Sequence, residues 1–317
     1  MRYKAFLYSL ILFSFLSFNL NRAQACESCA IPRIGRVAEL EKGNLGKPWF
    51  FDFTFEQQNW DERPALDAHE LHEEGHHVHN KTREEFYHFT LGANPLENLT
   101  LLAEIPYVVR GSIEIEDEDR LGEEEESKGI GDLNLIAIYR FLRRDNNYLG
   151  AVGGIKFPTG GTKEANSQRV RFEPELQPGT GSYDYPLGVV YQLQVNSFVF
   201  RGNAIYVIKT KGDQDFEFGD LFSTSLFLDY IVNPGSKAFE TKIGLDLNFQ
   251  HEEKQVDRGE EVTDSGGTTL FLGPALTIKA NDNVSVFGNF LLPIHQNLGG
   301  VHQEVDFVWN AGAKIAW

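Results

Sequence analysis

From Pro48 to the last residue, the sequence alternates apolar and polar residues with a period of two, segment after segment. In "PWFFDFTFEQQNW", Trp49 and Phe51 fall on one face of an extended chain, while Asp52 and Thr54 fall on the other. The segments "ETKIGLDLNFQ" and "EVDFVWNAGAKIAW" repeat this pattern and keep charges on the polar face. A period of two is typical of β-strands with one apolar and one polar face. The sequence therefore predicts an all-β protein.

About twelve such segments are present, each close to the roughly 9–11 residues that a tilted strand needs to cross a bilayer. Bacterial outer-membrane barrels have an even number of strands. The predicted strands lie near residues 48–60, 83–93, 98–111, 131–143, 147–158, 182–195, 198–209, 216–232, 238–251, 267–280, 283–295 and 304–317.

The connections between these segments alternate in length, which favours a barrel over a soluble sandwich. Outer-membrane barrels have short periplasmic turns and long external loops. A closed barrel also accounts for the charges on the polar strand faces, because these faces line the lumen while the apolar faces contact lipid. We therefore predict an antiparallel transmembrane β-barrel of outer-membrane type, with about twelve strands, over residues 48–317. Short turns such as "RRDNN" and "QVNS" alternate with longer polar links at 61–82, 112–130, 159–181, 210–215, 252–266 and 296–303.

The N-terminal residues resemble a targeting signal more than a part of the barrel. Residues 1–25 begin with basic residues, continue through the apolar run "AFLYSLILFSFLSF" and end on "AQA", which is typical of a secretory signal peptide. Residues 26–47 then form a predicted periplasmic segment that begins with "CESCA". Its two cysteines, Cys26 and Cys29, suit a disulfide or a thiolate metal site, and lipidation of Cys26 is the alternative.

The charge of the chain excludes one class of partner. Asp and Glu number 46 against 29 Lys and Arg, and the formal net charge is −17. Such a chain repels the phosphates of nucleic acid. Cations are the ligands that its charge favours.

Three glycine-containing motifs in the middle of the chain resemble a known family. They are "GIGDLNLIAIYRF" at 129–141, "GGIKFPTG" at 153–160 and "PGTGSYDYPLG" at 178–188. These motifs look like the central strands of the outer-membrane family named after the meta-pathway of phenol degradation, whose members are regarded as transporters. The resemblance implies a barrel in the outer membrane of a Gram-negative-type bacterium and leaves the substrate open.

Five of the nine histidines stand in "DAHELHEEGHHVHN", residues 67–80, within the first predicted external loop. Imidazoles mixed with carboxylates suit zinc, copper or nickel. The stretch also contains a literal H-E-x-x-H pattern, but Gly75 interrupts the helix that a zinc protease needs, so we expect no enzyme. A solvated loop without a specific ligand is the alternative. The predicted metal ligands are His69, His72, His76, His77, His79, His88, Cys26 and Cys29.

Acidic residues on the predicted inner faces indicate a path for cations, because rings of carboxylates favour cations in pores. His88 is predicted at the same height as two of these acids, on the strand between them. The alternative is that the acids pair with inward-facing cations and brace the barrel. The predicted lumen acids are Asp52, Glu56, Glu104, Glu304 and Asp306, and the inward cations are Arg110, Arg140, Lys156, Arg201 and Lys242.

These features predict an outer-membrane channel or transporter that captures divalent transition metal at its external loops and admits it through an acidic lumen. The alternative, implied by the family, is a channel for small aromatic or hydrophobic compounds, and a purely structural or adhesive barrel is third. No cofactor is required, and zinc, copper or nickel enters as a ligand only. The expected partners are outer-membrane lipid, the outer-membrane assembly machinery and the solute. No plug, energy-coupling motif or nucleotide site is recognisable in the sequence.

Overall fold

The computed structural model describes residues 47–60, 81–117, 120–235, 239–263, 265–299 and 304–317. The predicted signal peptide, the two cysteines and the His-rich stretch at 67–80 lie outside these residues, and what the sequence predicts for them stays a prediction. No helix among the described residues is long and apolar enough to cross a membrane.

The described residues form sixteen β-strands and two short 3₁₀ turns, Pro174–Leu176 and Asp213–Asp215. The strands coincide with the alternating segments of the sequence, as expected for chains with one lipid-facing and one inward face. They are β1 (Trp49–Trp60), β2 (Lys81–Leu96), β3 (Leu99–Asp117), β4 (Arg120–Ile130), β5 (Leu133–Arg144), β6 (Asn147–Phe157), β7 (Tyr185–Val195), β8 (Phe198–Ile208), β9 (Phe216–Glu217), β10 (Leu221–Ile231), β11 (Glu240–Glu252), β12 (Val256–Asp257), β13 (Glu260–Glu261), β14 (Gly267–Lys279), β15 (Val284–Leu298) and β16 (Val305–Ala316).

The main strands pair antiparallel with their neighbours, and the ladder closes on itself. The first and last strands, β1 and β16, pair from Phe50↔Ala316 onward, and β2 pairs with both β1 and β3. β4 and β5 follow each other along one strand of the barrel wall, because each pairs with a different part of β3. When β4 and β5 are counted as one, the barrel wall has twelve strands, and the predicted closed antiparallel barrel is confirmed. The short strands β9, β12 and β13 form a separate small sheet.

One predicted link is not a loop. The sequence predicts a long polar connection at 112–130, whereas the β3–β4 ladder continues as far as the pair Asp117↔Arg120. Backbone pairing needs no apolar face once the strands are in water, so an acidic run continues the hairpin where the alternating pattern has ended. The prediction of a loop over this range was wrong.

The two ends of the barrel differ in the length of their connections. At the short-turn end, Asp145 and Asn196 have φ angles of 53° and 54°, which Asp and Asn adopt more readily than other non-glycine residues. At the long-loop end, residues 158–184 join β6 to β7 and residues 209–220 join β8 to β10. In outer-membrane barrels the long loops face the medium.

The outer face of the wall is apolar and the inner face carries charge. On β11, Ile243 and Leu245 are 52% and 53% exposed, whereas Asp246 is 2% exposed. A continuous exposed apolar surface of this kind is unfavourable in water and matched by lipid.

The inner face is also partly apolar, which the alternating pattern does not indicate. Ile138, Val190 and Ile205 are buried with Phe50 in one cluster inside the wall. The ring of Phe50 lies against Gly92, where a Cβ would come within 2.0 Å of a ring carbon. A barrel of this size lies between those filled by side chains and those with a wide aqueous channel. The interior therefore combines apolar packing with charged groups.

Candidate functional site

The three family-like motifs meet around one buried lysine at the long-loop end. Lys156, on β6, is 4% exposed, and its Nζ lies 2.5 Å from Asp184 Oδ2 and 3.3 Å from Asp132 Oδ2. Lys156 and Asp184 also pair through their backbones. Buried charges are tolerated when they are paired this closely. Each motif thus contributes one residue to an ion-pair group, the Lys156 cluster, which consists of Asp132, Lys156 and Asp184.

Asp132 holds both ends of loop 158–184. Its Oδ1 accepts a hydrogen bond from Gly160 N at 2.9 Å, and its Oδ2 accepts from Thr180 N at 3.0 Å and Thr180 Oγ1 at 2.8 Å. The two ends pass backbone to backbone, and a Cβ on Gly179 would lie 2.6 Å from Gly160. Only glycine permits such an approach. The loop is therefore fixed where it leaves and re-enters the wall.

The middle of loop 158–184 packs onto the inner face of the wall. Gln177 is 2% exposed, and its side chain accepts from Glu164 N and donates to Phe172 O. On β3, Arg110 donates to the Gln177 carbonyl oxygen, while its Nε lies 2.6 Å from Glu84 Oε1. No plug is recognisable in the sequence, whereas the structure places this loop inside the long-loop end of the barrel.

Loop 158–184 also contacts loop 209–220. Arg171 Nη2 lies 2.5 Å from Asp213 Oδ2. A hydrogen bond from Thr162 lowers the pKa of the Asp213 carboxyl from its usual value, and bonds from the Gln214 backbone and Arg171 add to this effect against a smaller opposing effect of desolvation. Both Arg171 and Asp213 are about one-third exposed, so solvent screens the pair. This contact aligns the two loops and contributes modestly to their stability.

A pocket remains between loop 158–184 and the wall. About 700 Å³ of space free of protein atoms lies in and around it, and this volume includes open solvent. Pro174 and Gln177 line it on the loop side, and Arg110, Lys156 and Glu104 line it on the wall side. The pocket therefore has charged groups of both signs around it.

The inner face beside this pocket carries the histidine and the two acids that strand periodicity predicts at similar heights, and His88 and Glu104 line the pocket itself. His88 Nδ1 lies 3.3 Å from Glu104 Oε1, and His88 Nε2 lies 4.0 Å from Glu56 Oε2. The strand register explains this arrangement, because Thr54, His88 and Pro106 are direct partners across β1, β2 and β3. Glu56 and Glu104, two residues away from those partners, face the same side as the imidazole.

The other predicted lumen acids do not join this group. Asp52 is buried on β1 at 3% exposure, four positions before Glu56. Glu304 and Asp306 are exposed, and Val305 between them is buried. A register shift in the β1–β16 pairing lies at this point and interrupts the inner-face pattern. The structure therefore does not bring Glu304 or Asp306 to the acids of the first three strands.

Four of the predicted inward cations, Arg110, Lys156, Arg201 and Lys242, lie beside acids other than the predicted lumen acids. Arg110 and Lys156 bond to the partners described above, and Arg201 Nη2 lies 2.7 Å from Asp229 Oδ2. Arg140 donates to Thr100 Oγ1 at 2.8 Å. Lys242, at the start of β11, lies 3.0 Å from Glu240. Bracing of the wall by buried ion pairs is thus part of what the inner face does.

Of the predicted metal ligands, only His88 lies within the described part of the chain. Among the described residues, no group of three or more His, Cys, Asp or Glu is arranged to hold a metal ion. His251 and His295 are exposed on β11 and β15, and His251 Nδ1 lies 2.9 Å from Thr268 Oγ1. Metal binding by the predicted ligands His69, His72, His76, His77, His79, Cys26 and Cys29 stays a prediction.

A closed barrel with an apolar outer surface and a charged interior defines the class as outer-membrane β-barrel proteins, and solved structures agree. The COG4313 outer membrane channel from Pseudomonas putida F1 superposes with a TM-score of 0.63 at 19% identity, over 87% of this chain and 98% of that one. The beta domain of the Bordetella autotransporter BrkA superposes with a TM-score of 0.50 at 8% identity, over 86% and 100%. At these identities the likeness shows the fold, and it is consistent with a place in the outer membrane.

The family is shown by sequence. The family model described as the MetA-pathway of phenol degradation matches residues 84–296, which is more than half of the chain, and the chain belongs to this family. The match includes the Lys156 cluster and loop 158–184, and it excludes the two cysteines and the His-rich stretch. No curated protein matches the chain.

Sequence reasoning missed the residues that hold loop 158–184. Asp132, Asp184 and Gln177 were not predicted as site residues, although each stands in or beside a motif that resembles the family. The available signal was the recurrence of glycine next to a buried polar residue, as in "GIGDL" and "PGTGS". These residues come together through the pairing register of β5, β6 and β7, which the alternating pattern does not determine.

Proposed function

We propose that this protein is a passive outer-membrane channel that favours cations, and that its first long loop gathers divalent transition metal at the entrance. The observation that supports this is the position of Glu104 and Glu56 on either side of the His88 imidazole, on the inner face of the barrel, where His88 and Glu104 line the pocket. Carboxylates on a pore wall lower the energy of cations relative to anions. The channel performs no chemical step.

The His-rich stretch adds the second half of the proposal. It lies between β1 and β2 in the sequence, and these strands end and begin at Trp60 and Lys81, at the long-loop end of the barrel. Neutral imidazoles are labile ligands for zinc, copper and nickel near neutral pH, and thiolates such as those of Cys26 and Cys29 bind the same metals more tightly. The affinity for these metals would therefore rise from the external loop to the periplasmic cysteines. The apolar wall would face outer-membrane lipid after insertion by the assembly machinery.

The test is ion selectivity of the refolded barrel in a planar bilayer, followed by metal calorimetry. Under a salt gradient the reversal potential should indicate cation preference, and Glu104→Gln should reduce that preference. In calorimetry, zinc or copper should bind the parent in the micromolar range, and a variant with the five loop histidines changed to Ala should bind at least tenfold more weakly. An anion-selective or non-conducting barrel contradicts the channel, and equal metal binding by both proteins contradicts the capture.

A second candidate function has its own supporting observation. The apolar cluster inside the wall, which includes Ile138, Val190 and Ile205, offers a surface for small aromatic or hydrophobic compounds. The family name refers to phenol degradation, which fits such solutes. Faster entry of phenol than of zinc into liposomes that contain the barrel would favour this second candidate.

A further inference from the structure

We propose that the pocket between loop 158–184 and the wall binds a short-chain primary ammonium solute, with the charged head at Glu104 and Asn134 and the alkyl chain along the apolar part of the pocket. The inference rests on the proposed channel only in that the solute reaches the pocket through the lumen. It names a class of solute that carries both a positive charge and an apolar body.

Two hydrogen-bond acceptors lie next to each other where the ammonium head is proposed to bind. Glu104 on β3 and Asn134 on β5 are direct cross-strand partners, so their side chains leave the wall side by side. Asn134 is 3% exposed, and its Oδ1 has no hydrogen-bond partner within the described residues. The only charged group described in contact with Glu104 is His88. A buried acceptor without a donor is unfavourable, and an ammonium group brings three N–H donors.

The positive groups around the pocket are already paired, which argues against an anionic solute. Lys156 Nζ lies 2.5 Å from Asp184, and Arg110 Nε lies 2.6 Å from Glu84. Lys209 Nζ lies 3.1 Å from Glu252. An anion would have to compete with these carboxylates for the same donors. A cationic head at Glu104 and Asn134 displaces no existing ion pair of Arg110 or Lys156.

The rest of the pocket is apolar and suits a hydrocarbon chain. Pro106 and Val108 continue the inner face of β3, and Val207 and Leu221 line the opposite side. A bare metal ion gains nothing from these groups, and a neutral hydrocarbon leaves the acceptors unsatisfied. Binding sites for small solutes commonly combine an apolar lining with a few placed polar groups. An amine with a short alkyl chain satisfies both parts of this pocket.

The test uses n-butylammonium as the probe and n-butanol as its uncharged match, with calorimetry on the refolded barrel in detergent. The parent should bind n-butylammonium and bind n-butanol at least tenfold more weakly. Glu104→Gln should weaken n-butylammonium binding by roughly 10- to 100-fold, because a charge-assisted hydrogen bond is lost. Asp246→Asn is the matched control, since it removes a buried inner-wall carboxylate that does not line the pocket, and it should leave the affinity unchanged.

A second variant separates recognition from damage to the fold. Asn134→Asp adds a carboxylate at the head position and should bind n-butylammonium more tightly than the parent, which a loss of structure cannot produce. Equal binding of the amine and the alcohol, or equal effects of Glu104→Gln and Asp246→Asn, overturns the inference. Because binding is measured without conduction, a cation-selective barrel that ignores n-butylammonium contradicts this inference alone. A non-conducting barrel that binds it contradicts the channel alone.

Discussion

Lys156 is a single positive charge that lies between two buried carboxylates, and the consequences of that position are large. Asp132 and Asp184 come from different connections of the chain, and the Lys156 ammonium lies within 3.3 Å of both carboxyl groups. Asp132 in turn accepts hydrogen bonds from both ends of loop 158–184. One side chain therefore stabilises an ion-pair group and, through it, a loop.

Replacing Lys156 with Met should destabilise the barrel by about 3–5 kcal/mol, because two buried carboxylates are left without a counter-charge. The measurement is chemical unfolding of the refolded barrel in detergent, followed by the gel shift on heating. Lys128→Met is the control, since Lys128 is exposed and pairs with Glu126 at the surface, where solvent screens the pair and no measurable change in stability is expected. Equal effects of the two substitutions would show that the Lys156 cluster is not a stabilising group.

The lowered pKa of Asp213 predicts that the contact between the two long loops depends on pH. The pKa of the Asp213 carboxyl lies below its usual value. The stability that the ionised carboxylate gives to the loop contact is therefore fully present above the usual carboxyl pKa, and it is lost as the pH falls through the lowered pKa. Protection of residues 158–184 from hydrogen exchange, corrected for intrinsic rates, should be constant from neutral pH to about 4 and fall below it. The Asp213→Asn variant should show reduced protection at neutral pH and no such step, and a step that persists in it would assign the effect to another group.

At the scale of elements, loop 158–184 behaves as part of the wall because its contacts are internal and specific. Gln177 bonds to the loop's own backbone, and Arg110 reaches it from β3. The loop is therefore held by the barrel interior and by loop 209–220, not by solvent-exposed contacts alone.

Removing the Arg110 and Glu84 pair together should release this loop without unfolding the barrel. The double variant Arg110→Met and Glu84→Leu leaves no unpaired charge, and replacement of a buried ion pair by apolar residues is often neutral for stability. Trypsin should then cut at Arg169 and Arg171 at least several-fold faster than in the parent.

The matched control is the double variant Arg201→Met and Asp229→Leu. It removes a buried ion pair between β8 and β10, and its cleavage rate should equal that of the parent. If both double variants are cut at the same faster rate, loop release is a general effect of a weakened wall.

The strands could be predicted from sequence because their two environments, lipid and interior, impose a period of two. The β3–β4 extension could not, since its ladder continues in water where no apolar face is needed. The grouping of Glu56, His88 and Glu104 could be predicted, because these residues lie on three adjacent strands and their heights follow from strand periodicity alone. A long connection at 159–181 was predicted, but its inward position was not, because that position depends on side chains from strands distant in sequence, which periodicity cannot bring together.

At the scale of the whole molecule, the closed wall defines two sides with different connections. The small sheet of β9, β12 and β13 stands at the long-loop end, since it is built from residues that follow β8 and β11. The turn at Asp145 and Asn146 stands at the other end. The two ends should therefore differ in their access to reagents that cannot cross the outer membrane.

Cysteine labelling of whole cells checks this orientation. In a background with Cys26 and Cys29 changed to Ser, Glu260→Cys in β13 should react with an impermeant thiol reagent. Asn146→Cys should react only after the cells are broken. Labelling at Asn146 and protection at Glu260 in intact cells would invert the topology, and with it the capture of metal by residues 67–80.

The seam between β1 and β16 has a consequence for biogenesis. Trp49 and Trp317 exchange backbone hydrogen bonds, so the first barrel residue and the last residue of the chain complete the same ladder. β1 therefore has its second neighbour only when β16 is in place. A barrel that lacks this pairing presents the backbone edge of β1 to other chains, and only closure removes that edge.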